Sequence, residues 1–200
     1  MRTIDSLEQQ ICRVILANDV LALQQLIEQG ADVNIHYRAA EGLTPLIQAI
    51  NLQRVSIVDM LLLAGADVHQ SQYEITMPLW IATDLGNLDI VKLLLNAGAN
   101  PNRGDVTSAP LHLAIAKDIP DIVEALIQAQ ADLNRTCALG YTPLMTAASK
   151  GNLMLCKRLV KAGATIDIHD DYGDTALTIA KSLGHQDIVN FLCNISKRHP

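Results

Sequence analysis

The chain has 200 residues and a formal charge of −6, with half of its residues hydrophobic and only 3% aromatic. Its core must be built of Leu, Ile, Val and Ala, the composition of many short helices packed closely. The acidic balance opposes phosphate backbones, which are held by clustered Lys and Arg, and no run approaches the roughly 20 apolar residues of a membrane span, so neither nucleic acid nor a membrane is an expected partner.

From Ser6 to Gly30 the pattern is helical. Ser6 and Gln9 read as a capping box, with Leu7, Ile11, Val14 and Ile15 as the predicted buried stripe. Asn18 and Asp19 break it, and Leu21 to Glu28 form the next helix. Glu8, Gln9, Arg13, Gln24 and Gln25 supply the polar outer face that an end unit needs.

Five related segments follow, TPLIQAI from Thr44, MPLWIAT from Met77, APLHLAI from Ala109, TPLMTAA from Thr142 and TALTIAK from Thr175, spaced 33, 32, 33 and 33 residues apart. A second landmark runs in step: GADVN at Gly30, GADVH at Gly65, GANPN at Gly98, QADLN at Gln130 and GATID at Gly163. Thr is a good N-cap, and Pro at the first helical position loses no needed donor. Ala49, Ala82, Ala114, Ala147 and Ala180 share one place in the first helix of each pair, where a small side chain lets neighbours approach closely. Gly86, Gly151 and Gly184 are expected to end those helices in the left-handed conformation.

The period and the T-P-L-H-x-A pattern resemble the ankyrin-repeat family along essentially the whole chain. The resemblance implies an all-α solenoid of helix-turn-helix units with β-turn or hairpin fingers. Residues 1–200 then form a single domain of units at about 1–35 (the N-terminal cap), 36–68, 69–101, 102–133, 134–166 and 167–200 (the C-terminal cap). Six units at ~10 Å each give a monomer roughly 50–60 Å long when unbound, an expectation that a compact sphere in small-angle scattering would contradict.

Departures from the pattern mark places of interest. The finger through His36, Tyr37 and Arg38 is two residues longer than most and should protrude, whereas that through Arg103 and Gly104 is shorter and should be recessed. Gln53 and Asp118 replace the turn glycine, and Gln130 replaces the glycine that closes a second helix. Asp tolerates the left-handed region better than Gln, so the turn at Gln53 is where the family geometry is least secured by its residue.

No catalytic constellation is visible, and no enzyme activity, cofactor or metal is expected. His36, His69, His112, His169, His185 and His199 are scattered, without paired spacing, and there is neither a G-x-S-x-G nor a phosphate-binding loop. His112 holds the histidine position of the motif, a structural one by the resemblance. Cys12, Cys137, Cys156 and Cys193 form no C-x-x-C pair, which favours reduced thiols and a cytoplasmic location over a disulfide framework or zinc site, and the N-terminus lacks the charged and hydrophobic regions of a secretory signal. Asn34, Asn102 and Asn134 share one position and are read as turn residues, although in some family members an asparagine here is hydroxylated.

The tyrosines Tyr37, Tyr73, Tyr141 and Tyr172 all fall in finger segments, and Trp80 replaces a motif histidine, where burial is expected. Residues 134–166 carry Arg135, Lys150, Lys157, Arg158 and Lys161 without a carboxylate, between acidic neighbours. Pairing between adjacent units is the reading preferred over a second docking surface. By the resemblance, fingers and first helices form a concave face that holds a protein partner. The residues expected there are Tyr73, Glu74, Asp84, Leu85, Val106, Lys117, Leu139, Tyr141, Lys150, Asp171, Tyr172 and Leu183. A non-catalytic adaptor or scaffold is the implied function; an inhibitor or regulatory subunit of one enzyme or transcription factor, or a host-directed bacterial effector, are the alternatives.

Overall fold

A computed structural model describes residues 7–36, 43–70, 77–103 and 109–196. The described residues form twelve helices and no strand. The chain divides into two compact units, Met1–Arg103 and Gly104–Pro200. The first holds α1 (Leu7–Ala17), α2 (Val20–Glu28), α3 (Pro45–Asn51), α4 (Val55–Leu63), α5 (Pro78–Asp84) and α6 (Leu88–Asn96). The second holds α7 (Pro110–Ala116), α8 (Pro120–Gln128), α9 (Pro143–Ser149), α10 (Leu153–Lys161), α11 (Ala176–Ser182) and α12 (Gln186–Ser196).

Local chemistry starts and stops these helices where the sequence indicates. The hydroxyls of Thr44, Thr142 and Thr175 accept from backbone N–H groups three residues on, satisfying a donor that a helix start leaves free. Met77 and Ala109 occupy the same place without a side-chain bond, leaving Pro78 and Pro110 to set those starts. The five motif alanines are completely buried. Around them each first helix packs on the next within its unit, α1 on α3 on α5 and α7 on α9 on α11, and each is covered by its own second helix. In the cap, Ile11 and Ile15 are buried as expected, but Leu7 is exposed and Val14 half-buried. The capping box at Ser6 lies outside the described residues, as do the long finger at Tyr37 and the short one at Gly104.

The turn at Gln53, the one least secured by its residue, keeps the family geometry. Gln53 and Asp118 take φ of 54° and 56°, in the same left-handed region as Gly86 and Gly151 at 71°. A bond from the following repeat accompanies each strained residue: Asn87 Nδ2 donates to Gln53 Oε1 and Asn152 Nδ2 to Asp118 Oδ1, both at 3.3 Å. A glycine could not accept either bond. Gln53→Gly and Gln53→Ala both remove it, but only alanine retains the steric cost of positive φ, so the glycine variant should be about 1 kcal/mol the more stable in urea unfolding. Equal midpoints would show that this turn is not strained.

The segments after the second helices are joined by side chains. Asp32, Asp67, Asn100 and Asp132 each accept from the N–H two residues on, the bond of an Asx turn. Asn34 Nδ2 donates to the Gly65 carbonyl at 3.0 Å while its Oδ1 accepts from Asp67 N at 2.8 Å, and Asn134 Oδ1 accepts from Thr165 N at 2.8 Å. Both asparagines therefore tie one repeat to the next.

Candidate functional site

In the second unit the fingers that precede α9 and α11 are tight turns. Cys137 N donates to Tyr141 O and Gly140 N to Cys137 O, both at 2.9 Å. The next finger repeats this bonding, Asp170 N to Asp174 O at 2.9 Å and Gly173 N to Asp170 O at 3.1 Å. Buried Asp170 fixes it further, its Oδ1 accepting from Tyr172 N and Asp174 N at 2.9 and 2.8 Å. Cys137 stands where Asp170 stands and lacks a carboxylate, so the 137–141 finger depends more on its neighbour. Asp171 N points to the Leu139 carbonyl at 3.4 Å, and Gly140 lies against it so closely that a Cβ would sit 2.7 Å from Asp171 N.

His112 ties the first helix below to that finger. Its Nε2 lies 2.9 Å from the Tyr141 carbonyl, which can only accept, so Nε2 carries a proton. Burial is the main force lowering its pKa, the Tyr141 bond opposes this, and Arg135 adds to it. The folded value therefore lies below the ordinary 6.5, and below pH 6.5 the unfolded chain takes up a proton that the folded chain refuses. The contribution of His112 to stability is complete above pH 6.5 and is lost as acidification proceeds towards the folded pKa. Urea midpoints at about pH 7.5 and 5.5 should differ more in the wild type than in His112→Gln; identical differences would refute the assignment.

These turns present a graded surface. Leu139 is 52% exposed and Tyr172 76%, and Leu183, which caps α11, is 54% exposed. Lys117 and Lys150 hold the same capping place on α7 and α9, so α7, α9 and α11 carry two lysines and a leucine in a row. Asp171 is exposed beside Leu139, while Tyr141 is only half-buried and gives its backbone to His112. In the first unit Leu85 caps α5 and is exposed, with half-buried Asp84 before it. Leu52, the exposed cap of α3, belongs to the same row and was not anticipated, although its spacing of 33 residues from Leu85 marks it. Tyr73, Glu74 and Val106 lie outside the described residues. Trp80 is half-buried rather than enclosed.

No three His, Cys, Asp or Glu side chains converge as a metal cluster among the described residues. The cysteines are free thiols, and burial pushes that of Cys156 up to about 12, which keeps it protonated at neutral pH. No helix among the described residues is long and apolar enough to cross a membrane. The basic repeat meets its acidic neighbour through Arg158, which forms a two-bond ion pair with Glu124 and holds that carboxylate below its usual pKa.

The family model described as ankyrin repeats matches residues 11–105, 56–137 and 111–199. Ankyrin repeat domain-containing protein 37 of Homo sapiens is 37% identical over 87 residues, 44% of this chain and 55% of that protein. The putative ankyrin repeat protein FPV031 of Fowlpox virus (strain NVSL) is 30% identical over 180 residues, 88% of this chain and 44% of that protein. The chain thus spans about half the length of these curated relatives. The crystal structure of EF0377, an ankyrin repeat protein, superposes with a TM-score of 0.81 over 96% of this chain and 98% of that one, a likeness of fold at 23% identity.

Proposed function

Since the chain belongs to the ankyrin-repeat family, whose repeats are generally protein-interaction modules, we propose that it is a non-catalytic adaptor that holds a protein partner on its finger and first-helix face. The observation that supports this most is in the second unit, where Leu139, Tyr172 and Leu183 stand exposed among Lys117, Lys150 and Asp171. Aromatic and aliphatic groups within a charged border have the make-up of an interface, and a tyrosine that keeps most of its ring in solvent contributes little to the fold. Tyr141 joins this face from a half-buried position, and Asp84 and Leu85 are the corresponding contacts in the first unit. The free thiols support action in the cytoplasm, and the proposed adaptor is a monomer until its partner binds.

With a partner in hand, calorimetric titration of Tyr172→Ala should show binding weakened by about 2 kcal/mol, as at an interface anchor, with the thermal midpoint nearly unchanged. Tyr141→Ala should weaken binding similarly but also lower the midpoint, because its ring is half-buried. Wild-type affinity in both variants would move the site elsewhere.

A further inference from the structure

Successive second helices pack directly on one another at α2–α4, α4–α6 and α10–α12, but α8 and α10 approach only weakly. Between them lies a cavity of about 470 Å³, within the ~300–1,000 Å³ of small-molecule sites. The sequence explains the gap. Arg158 stands where α4, α6 and α12 carry Met60, Leu93 and Phe191, and it spans the gap to Glu124 instead of filling it. Leu155, in the place of the buried isoleucines Ile57, Ile90, Ile122 and Ile188, is left half-buried, and Met154, where α6, α8 and α12 carry an aspartate, is 74% exposed.

The lining is mainly apolar: Ala114, Ile115 and Val123 lie beneath it with almost no exposed surface, and Ile119, Met154 and Leu155 form its accessible wall. Its charges are Asp118, Glu124 and Arg158, a net of one negative charge. Glu124 and Arg158 neutralise each other's charge, Glu124 taking two of the five N–H donors of the guanidinium. Asp118 is exposed, accepts from Asn152 and pairs with no cation among the described residues. The N-termini of α8 and α10 oppose this with their positive dipole ends, but these are partial charges, and Asp121 offsets that of α8. We propose that the α8–α10 cavity binds a small organic cation, its apolar body against Ile119, Met154 and Leu155 and its ammonium group on the Asp118 carboxylate.

Two probes with one apolar body and opposite charge, 4-phenylbutylammonium and 4-phenylbutyrate, test this by NMR of methyl-labelled methionine. The Met154 signal, assigned with Met154→Leu, should shift saturably with the cation, and the anion should bind at least tenfold more weakly. Asp118→Asn keeps the bond to Asn152 and tolerates positive φ, and should bring the cation down to the affinity of the anion. Saturable shifts from neither probe, an anion that binds as well as the cation, or an unchanged preference in Asp118→Asn would each overturn the proposal.

Discussion

A chain ending at Ile166, without α11 and α12, is expected to lose the folded state of its second unit and to aggregate. Helix α11 packs along α9, and α12 beside α10. The removed segment contributes Ala176, Ile179, Ala180, Ile188, Val189 and Leu192, all buried. What remains would present the apolar side of α9 and α10 to water, with Leu144, Met145 and Leu159 among the residues now enclosed. A single repeat cannot bury its own face, and stability in such arrays is a sum over nearest-neighbour interfaces. Removing a whole interface therefore exceeds the effect of any point substitution. Size-exclusion chromatography and far-UV circular dichroism of the truncated chain decide the matter. Soluble monomer with the helicity expected for its length would contradict the account.

Gly140→Ala should be the most damaging single change in the fingers, at about 2–5 kcal/mol: about 1–2 for an L-residue at positive φ and about 1–3 for overpacking. The added Cβ would meet Asp171 N at 2.7 Å, Asp171 Oδ1 at 2.9 Å and Asp170 Cα at 3.0 Å. Two of these are backbone atoms, in a turn whose other bonds hold it in place, so the finger has little freedom to yield. Gly173→Ala is the matched control, with a φ of 82° and nothing within 4 Å. It should carry only the cost of the left-handed conformation, about 1–2 kcal/mol. Equal losses from the two variants, measured by urea unfolding, would show that the fingers do not press on each other.

Much of this arrangement is legible in the sequence because the repeat states it five times. A buried alanine, a capping threonine or a turn glycine recurs at a fixed offset, and the recurrence identifies its role. Single-copy features are harder to read. The turn at Gln53 looks unfavourable on local propensity alone, and its acceptor bond from Asn87 is visible only once two repeats are stacked. The α8–α10 cavity likewise depends on an ion pair between residues 34 positions apart, whose charges alone suggest a closed contact rather than a bridged opening. Of the tyrosines, Tyr141 and Tyr172 look equivalent as finger residues. What separates them is the offset from the next threonine: Tyr141 directly precedes Thr142 and is half-buried, whereas Tyr172 lies at the tip of its turn and is exposed.

In the function proposed above, the finger and first-helix face of the second unit holds a protein. Site-specific photo-crosslinking in the source cells tests it most directly, with a photoreactive residue placed in turn at Tyr172, at Leu183 and at Lys161, an exposed position on α10. The account predicts a discrete adduct of the same mass from Tyr172 and Leu183 and none from Lys161. Adducts from Lys161 alone, or from no position, would contradict it.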